Sequence, residues 1–109
     1  MRLLPDENLP KRLKLDFSEY EIYTVRDKGW NGIKNGELLQ LLLANNFTAL
    51  LTFDKNLQHQ QNFIKYTITV FVLSATINSY EALTKLTPKV KELLNKDDLL
   101  SGAIVIKAD

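Results

Sequence analysis

The sequence predicts a three-layer α/β/α domain built on a mainly parallel central sheet of about five strands. Three observations point there. Short apolar, β-rich runs alternate with helix-periodic runs along the whole chain. The most apolar run, Ile68 to Ala75, lacks polar alternation, as a strand covered on both faces requires. Nothing in the 109 residues resembles a linker, a repeat or a low-complexity tract, so the units belong to one domain, 1–109.

The elements follow in order. Arg2 to Leu4 is a short first strand ended by Pro5. Leu9, Leu13 and Phe17 share one helical face, and Pro10 suits the first turn, where its missing N–H costs nothing. Glu21 to Val25 is a strand-length run of β-formers. Between Arg26 and Gly36, three glycines and two asparagines predict a loop. Within it Trp30 either anchors the loop on the core or stacks on a base.

Glu37 to Ala44 is a leucine-rich helix stopped by Asn45-Asn46, and Thr48 to Phe53 is a buried strand. One short helix is expected over 55–66, then the strongest strand over Thr67 to Leu73. Ser79 to Leu94 is an amphipathic helix that Pro88 kinks or divides. Gly102 to Ile106 supplies the last strand.

Composition narrows function. A formal charge of +1 removes the argument that a strongly basic domain would make for nucleic acid, although a local basic face is still open. Without cysteine there is no disulfide framework, thiolate metal site or cysteine nucleophile. Asp6-Glu7 follow Pro5 at once, so no apolar signal core is expected, and no run approaches the ~20 residues of a membrane span. The expectation is a soluble, cytoplasmic domain with no membrane partner.

Ligands of open α/β sheets bind outside the carboxyl ends of the strands. Asp6 and Glu7 follow the first strand, Asp54 follows the third, and Glu37 lies near the start of the helix after the second. Clustered carboxylates repel unless a cation neutralises them, and Mg²⁺ or Mn²⁺ prefers such oxygen ligands. The same residues also have plain structural uses as helix caps or first-turn acids. Asn8, Asn35, Asn56, Gln58, Gln60, Gln61 and Asn62 fall near these acids, where they would orient the ligands, hold a phosphate or make turns. His59 reads as a surface histidine. Lys11, Arg12, Lys14, Arg26, Lys28, Lys34 and Lys55 either form a solvated surface or track a phosphate backbone.

Three blocks resemble a known family: Asp6-Glu7-Asn8-Leu9-Pro10, Gly32 to Leu39, and Leu51-Thr52-Phe53-Asp54-Lys55-Asn56-Leu57 with Gln60-Gln61-Asn62. Together they are similar to a bacterial PIN-like domain family of small proteins, related to PIN-domain ribonucleases and to the toxins of toxin–antitoxin pairs. The resemblance covers nearly the whole chain. It implies a parallel sheet, acids that bind Mg²⁺ or Mn²⁺, and hydrolysis of RNA phosphodiesters. Asp6 and Asp54 match two of the acids. The helix-start acid corresponds to Asn35, with Glu37 two residues on, and a further acid has no counterpart unless Glu7 substitutes.

On that reading Asp6, Glu37 and Asp54 are catalytic and hold metal together with Glu7. Asn8, Asn35, Asn56 and Gln60 orient ligands, and Lys34 and Lys55 hold flanking phosphates. Implied partners are RNA, a small antitoxin and a second copy of the chain in a homodimer.

Two rivals stand beside it. One is a non-catalytic module that dimerises or is held by a small partner protein. The other is a phospho-receiver domain with Asp6-Glu7, Asp54 as acceptor, Ser74 or Thr76, and Lys107. Against the receiver, Lys-Asn-Leu-Gln follows Asp54, and Ala108 stands where a proline is expected after Lys107.

Overall fold

In a covered parallel sheet the inner strands must bury side chains on both faces, and the apolar runs Arg2–Pro5, Ala49–Thr52 and Thr69–Ser74 do so. The computed structural model describes residues 1–54, 68–96, 99 and 101–108. The helix expected over 55–66, and with it Lys55, Asn56, His59 and Gln60, lies outside the described residues. Strands β1 (Arg2–Pro5), β2 (Glu21–Ile22), β3 (Ala49–Thr52), β4 (Thr69–Ser74) and β5 (Gly102–Lys107) form one sheet. Their order is β2-β1-β3-β4-β5, with every neighbouring pair parallel. The three-layer α/β class expected from the alternating pattern is what the chain adopts.

Alternate strand residues feed two cores. Leu3, Leu51, Phe71, Leu73 and Ile106 point to one face, where they meet Leu13 and Phe17 of a 3-10 helix (Lys11–Phe17). The same core takes Leu83 of α3 (Tyr80–Leu83), Leu86, and Val90 and Leu94 of α4 (Thr87–Leu94). Leu4, Leu50, Val70 and Val72 point to the other face. There they pack on Val25 of α1 (Val25–Lys28) and on Leu38, Leu39 and Leu42 of α2 (Asn35–Ala44). Trp30 is half-buried against this second core, its ring edge-on to Phe47 at 5.9 Å, so the anchoring expectation holds.

Several boundaries differ from the sequence reading. The segment after Pro10 winds as a 3-10 helix rather than an α-helix. Tighter winding brings Asp16, three residues after Leu13, round towards α3 and α4. There it accepts hydrogen bonds from Thr84 Oγ1 (2.6 Å), Tyr80 Oη (2.7 Å) and Thr87 Oγ1 (2.9 Å). β2 stops after Ile22 because Thr24 caps a helix where a loop was expected. Asp27 N–H donates to Thr24 Oγ1 (3.0 Å), and Thr24 N–H donates back to Asp27 Oδ2 (2.9 Å). Gly29, at φ +73°, ends that single turn in the left-handed region. Pro88 divides the C-terminal helix: it is the second residue of α4, where no N–H is owed to the preceding turn.

Among the described residues the crossover connections do not share one hand. β1 to β2 crosses one face towards one edge, and β2 to β3 returns across the other face, so these two crossovers share a hand. β4 to β5 runs towards the opposite edge from β1–β2, yet α3 and α4 pack on the same face as the 3-10 helix. Its hand is therefore opposite to theirs, in a class of connection that is right-handed about 98% of the time. The sheet order thus matches a doubly wound domain, but the placement of its last helix does not.

No helix among the described residues is long and apolar enough to cross a membrane.

Candidate functional site

Strand order reverses between β1 and β3, the place beyond whose carboxyl ends open α/β sheets bind their ligands. Asp6 and Asp54 both stand there. Asp6 N–H extends the ladder past β1 by donating to the Leu51 carbonyl (2.8 Å), and the Asp6 carbonyl closes a turn on Leu9 N–H (3.0 Å). That turn aims the backbone N–H groups of Glu7 and Asn8 at the Asp6 carboxylate. From β3, the completely buried Thr52 donates its hydroxyl to Asp6 Oδ2 (3.0 Å) and accepts from Asp54 N–H (3.1 Å). One hydroxyl therefore ties the carboxylate after β1 to the backbone after β3.

Burial pushes the Asp6 carboxyl above its ordinary range. The hydrogen bonds from Thr52, Glu7 and Asn8 pull the other way without cancelling it, and the neighbouring Glu7 charge adds to the rise.

The remaining expected residues divide. Glu7 and Asn8 are exposed on the β1 turn, whose Asn8 carbonyl accepts from Asn78 Nδ2 (2.7 Å) of the loop after β4. That bond ties the loops at the carboxyl edge to one another. Glu37 is exposed in the first turn of α2, Lys34 is the exposed residue that precedes that helix, and Asn35 is its first residue. Among the described residues no three His, Cys, Asp or Glu side chains converge to hold a metal ion. Glu37 therefore does not join Asp6 and Asp54 in one cluster, and the expected convergence of carboxylates is not seen. Helix α2 packs its leucines on the second core, which leaves Glu37 on the solvent side.

The acids present still suit a particular kind of cation. Mg²⁺ is usually held by one or two carboxylates, retained waters and substrate phosphate rather than by an all-protein cage. Adjacent strand ends bearing Asp6 and Asp54 fit that mode.

The basic residues also divide. Arg12 lies over the Tyr80 ring at 4.3 Å, and Lys28 is 5.3 Å from the Tyr23 ring and 5.6 Å from that of Trp30. Lys11, Lys14 and Arg26 instead line a cavity of about 380 Å³ that also touches Asp6 and Glu7. Lys14 Nζ pairs with Asp27 Oδ2 at 2.9 Å between two of its walls.

Sequence reasoning missed Thr52 and Asp27. Thr52 reads as an ordinary β-former within an apolar run. Asp27 had a visible signal, a threonine three residues before an acid, which is the spacing of a capping pair. Compared with models of known protein families, with curated proteins and with solved structures, the chain matches none.

Proposed function

We propose that the chain is a PIN-like, divalent-metal-dependent ribonuclease, suited to act as the toxin of a toxin–antitoxin pair. The observation that carries this reading is the linkage of Asp6 through the buried Thr52 hydroxyl to Asp54, at the point where strand order reverses. Asp6 and Asp54 would hold Mg²⁺ or Mn²⁺, which when bound lowers the pKa of a water and offsets charge on the phosphate. Thr52 fixes the orientation of Asp6 by donating to one of its two oxygens. Asn8 and Glu7, on the exposed turn, face incoming substrate. An antitoxin would act by covering this acidic rim.

The test is cleavage of single-stranded RNA by purified protein in Mn²⁺. Loss of cleavage in both Asp6→Ala and Asp54→Ala is expected. Cleavage undiminished in both variants overturns the proposal.

A second reading has its own support. The lack of three converging metal-ligating side chains among the described residues favours a non-catalytic module held by a partner protein. It predicts no cleavage and no divalent-ion binding at millimolar levels. The receiver reading draws on the strand order and on Ser74 lying in register with Lys107. The reversed hand of the β4–β5 connection weighs against it, and uptake of a phosphoryl group from acetyl phosphate at Asp54 would be its signature.

A further inference from the structure

The cavity beside Asp6 lies on the β2 side of that residue, away from β3, and its chemistry is mixed. Half-buried Pro10 gives it an apolar face, backed by the buried Pro5, Leu9 and Val25. Its volume of about 380 Å³ falls within the roughly 300–1,000 Å³ of small-molecule sites.

Opposite charges share the lining but have different engagements. Lys14 is committed to Asp27 at 2.9 Å. Asp6 is engaged by Thr52 and by the backbone of its own turn. Lys11 and Arg26 are exposed cations at the cavity with no ion pair among the described residues. An apolar face beside two available cations suits a ligand that joins a flat organic ring to an anion. Arg26 in particular offers a planar fork of donors that matches phosphate oxygens. Asn31 on the same lining adds an amide able both to donate to and accept from a base edge.

We infer that this cavity is a subsite for one nucleoside monophosphate unit of single-stranded RNA, with Lys11 and Arg26 on its phosphate and Pro10, backed by Pro5, Leu9 and Val25, against its base. The inference rests on the nuclease reading for its place in a reaction, because Asp6 borders both the subsite and the proposed metal position. A strand seated here would lead its next phosphodiester towards Asp6. Basic residues elsewhere, such as Lys28 over its two rings, play no part in this grip.

The test is residue-resolved NMR titration of the ¹⁵N-labelled chain with adenosine 5′-monophosphate in EDTA, so that no metal is needed. Expected are saturable shifts at Lys11, Thr24, Val25, Arg26 and Asn31, with inorganic phosphate binding at least about tenfold more weakly. Lys11→Ala and Arg26→Ala, both at exposed positions, should each weaken the nucleotide about tenfold while leaving the spectrum folded. Lys85→Ala, on the turn between α3 and α4, should bind like the wild type. No shifts at this cavity, shifts centred elsewhere, or equal binding of inorganic phosphate would overturn the inference. Nucleotide binding without any Mn²⁺ binding would refute the nuclease reading alone, and Mn²⁺ binding without nucleotide shifts would refute the subsite alone.

Discussion

The Thr52 hydroxyl donates to Asp6 across 3.0 Å while it accepts from Asp54 N–H at 3.1 Å, from a side chain with no solvent exposure. The carboxylate of Asp6 is therefore tied through the interior of the fold to the backbone of Asp54. Replacing this hydroxyl with a methyl leaves the shape and removes both bonds.

Thr52→Val should accordingly destabilise the fold at neutral pH by roughly 1–3 kcal/mol, the usual cost of leaving buried polar groups without partners. Urea unfolding at pH 7 checks this. A midpoint equal to that of the wild type would show that the hydroxyl is not needed.

Two carboxyls should titrate on opposite sides of the ordinary value. Asp27 is held down to about 2 by the Thr24 backbone N–H and by Lys14, while Asp6 is raised, chiefly by burial. The stability contribution of Asp27 is present above its unfolded value of 3.8 and is lost as pH falls towards 2. That of Asp6 runs the other way: full below 3.8, and lost as pH rises through its raised folded value. Carboxyl ¹³C titration by NMR should order the two groups this way, and the reverse order would contradict the described hydrogen bonds.

Asp16 should behave as a clamp. Burial alone would raise its carboxyl, but donation from Thr84, Tyr80 and Thr87, with Lys91 nearby, holds it below the ordinary range. Asp16→Ala releases three hydroxyls and should cost about 1–3 kcal/mol, at the low end because the site is partly exposed. Hydrogen exchange should quicken over 80–94 and stay unchanged in α2. Faster exchange in α2 instead would mean that the clamp does not act on the C-terminal helices.

Capping is testable at one residue. Thr24→Ala removes an N-cap and should cost about 1 kcal/mol. Urea unfolding checks this, and the Asp27 carboxyl should stay below its ordinary range in the variant, because the residue-24 backbone N–H and Lys14 still donate to it.

How much of this was legible before the structure depends on the range over which each feature acts. β3 and β4 were readable because apolar runs of this kind have few other uses in a short chain. The Pro88 division was readable because proline acts locally. Strand order and the reversed hand of the β4–β5 connection depend on pairings between distant segments that no local pattern encodes. At the site, Asp6 and Asp54 were legible from their place just after strands. Thr52 was not, since its role exists only once Leu51 has accepted the Asp6 N–H and set β3 beside β1. Glu37 shows the converse: its position on the rim was legible, but the face of α2 that would be buried decided where it points.

The proposed nuclease stands or falls on a divalent-metal site at Asp6 and Asp54. Calorimetric titration with Mn²⁺, run in parallel on the wild type and on Asp54→Asn, tests it most directly. Saturable binding by the wild type, abolished by the substitution, is expected. No binding by the wild type at millimolar Mn²⁺, or equal binding by both, would contradict it.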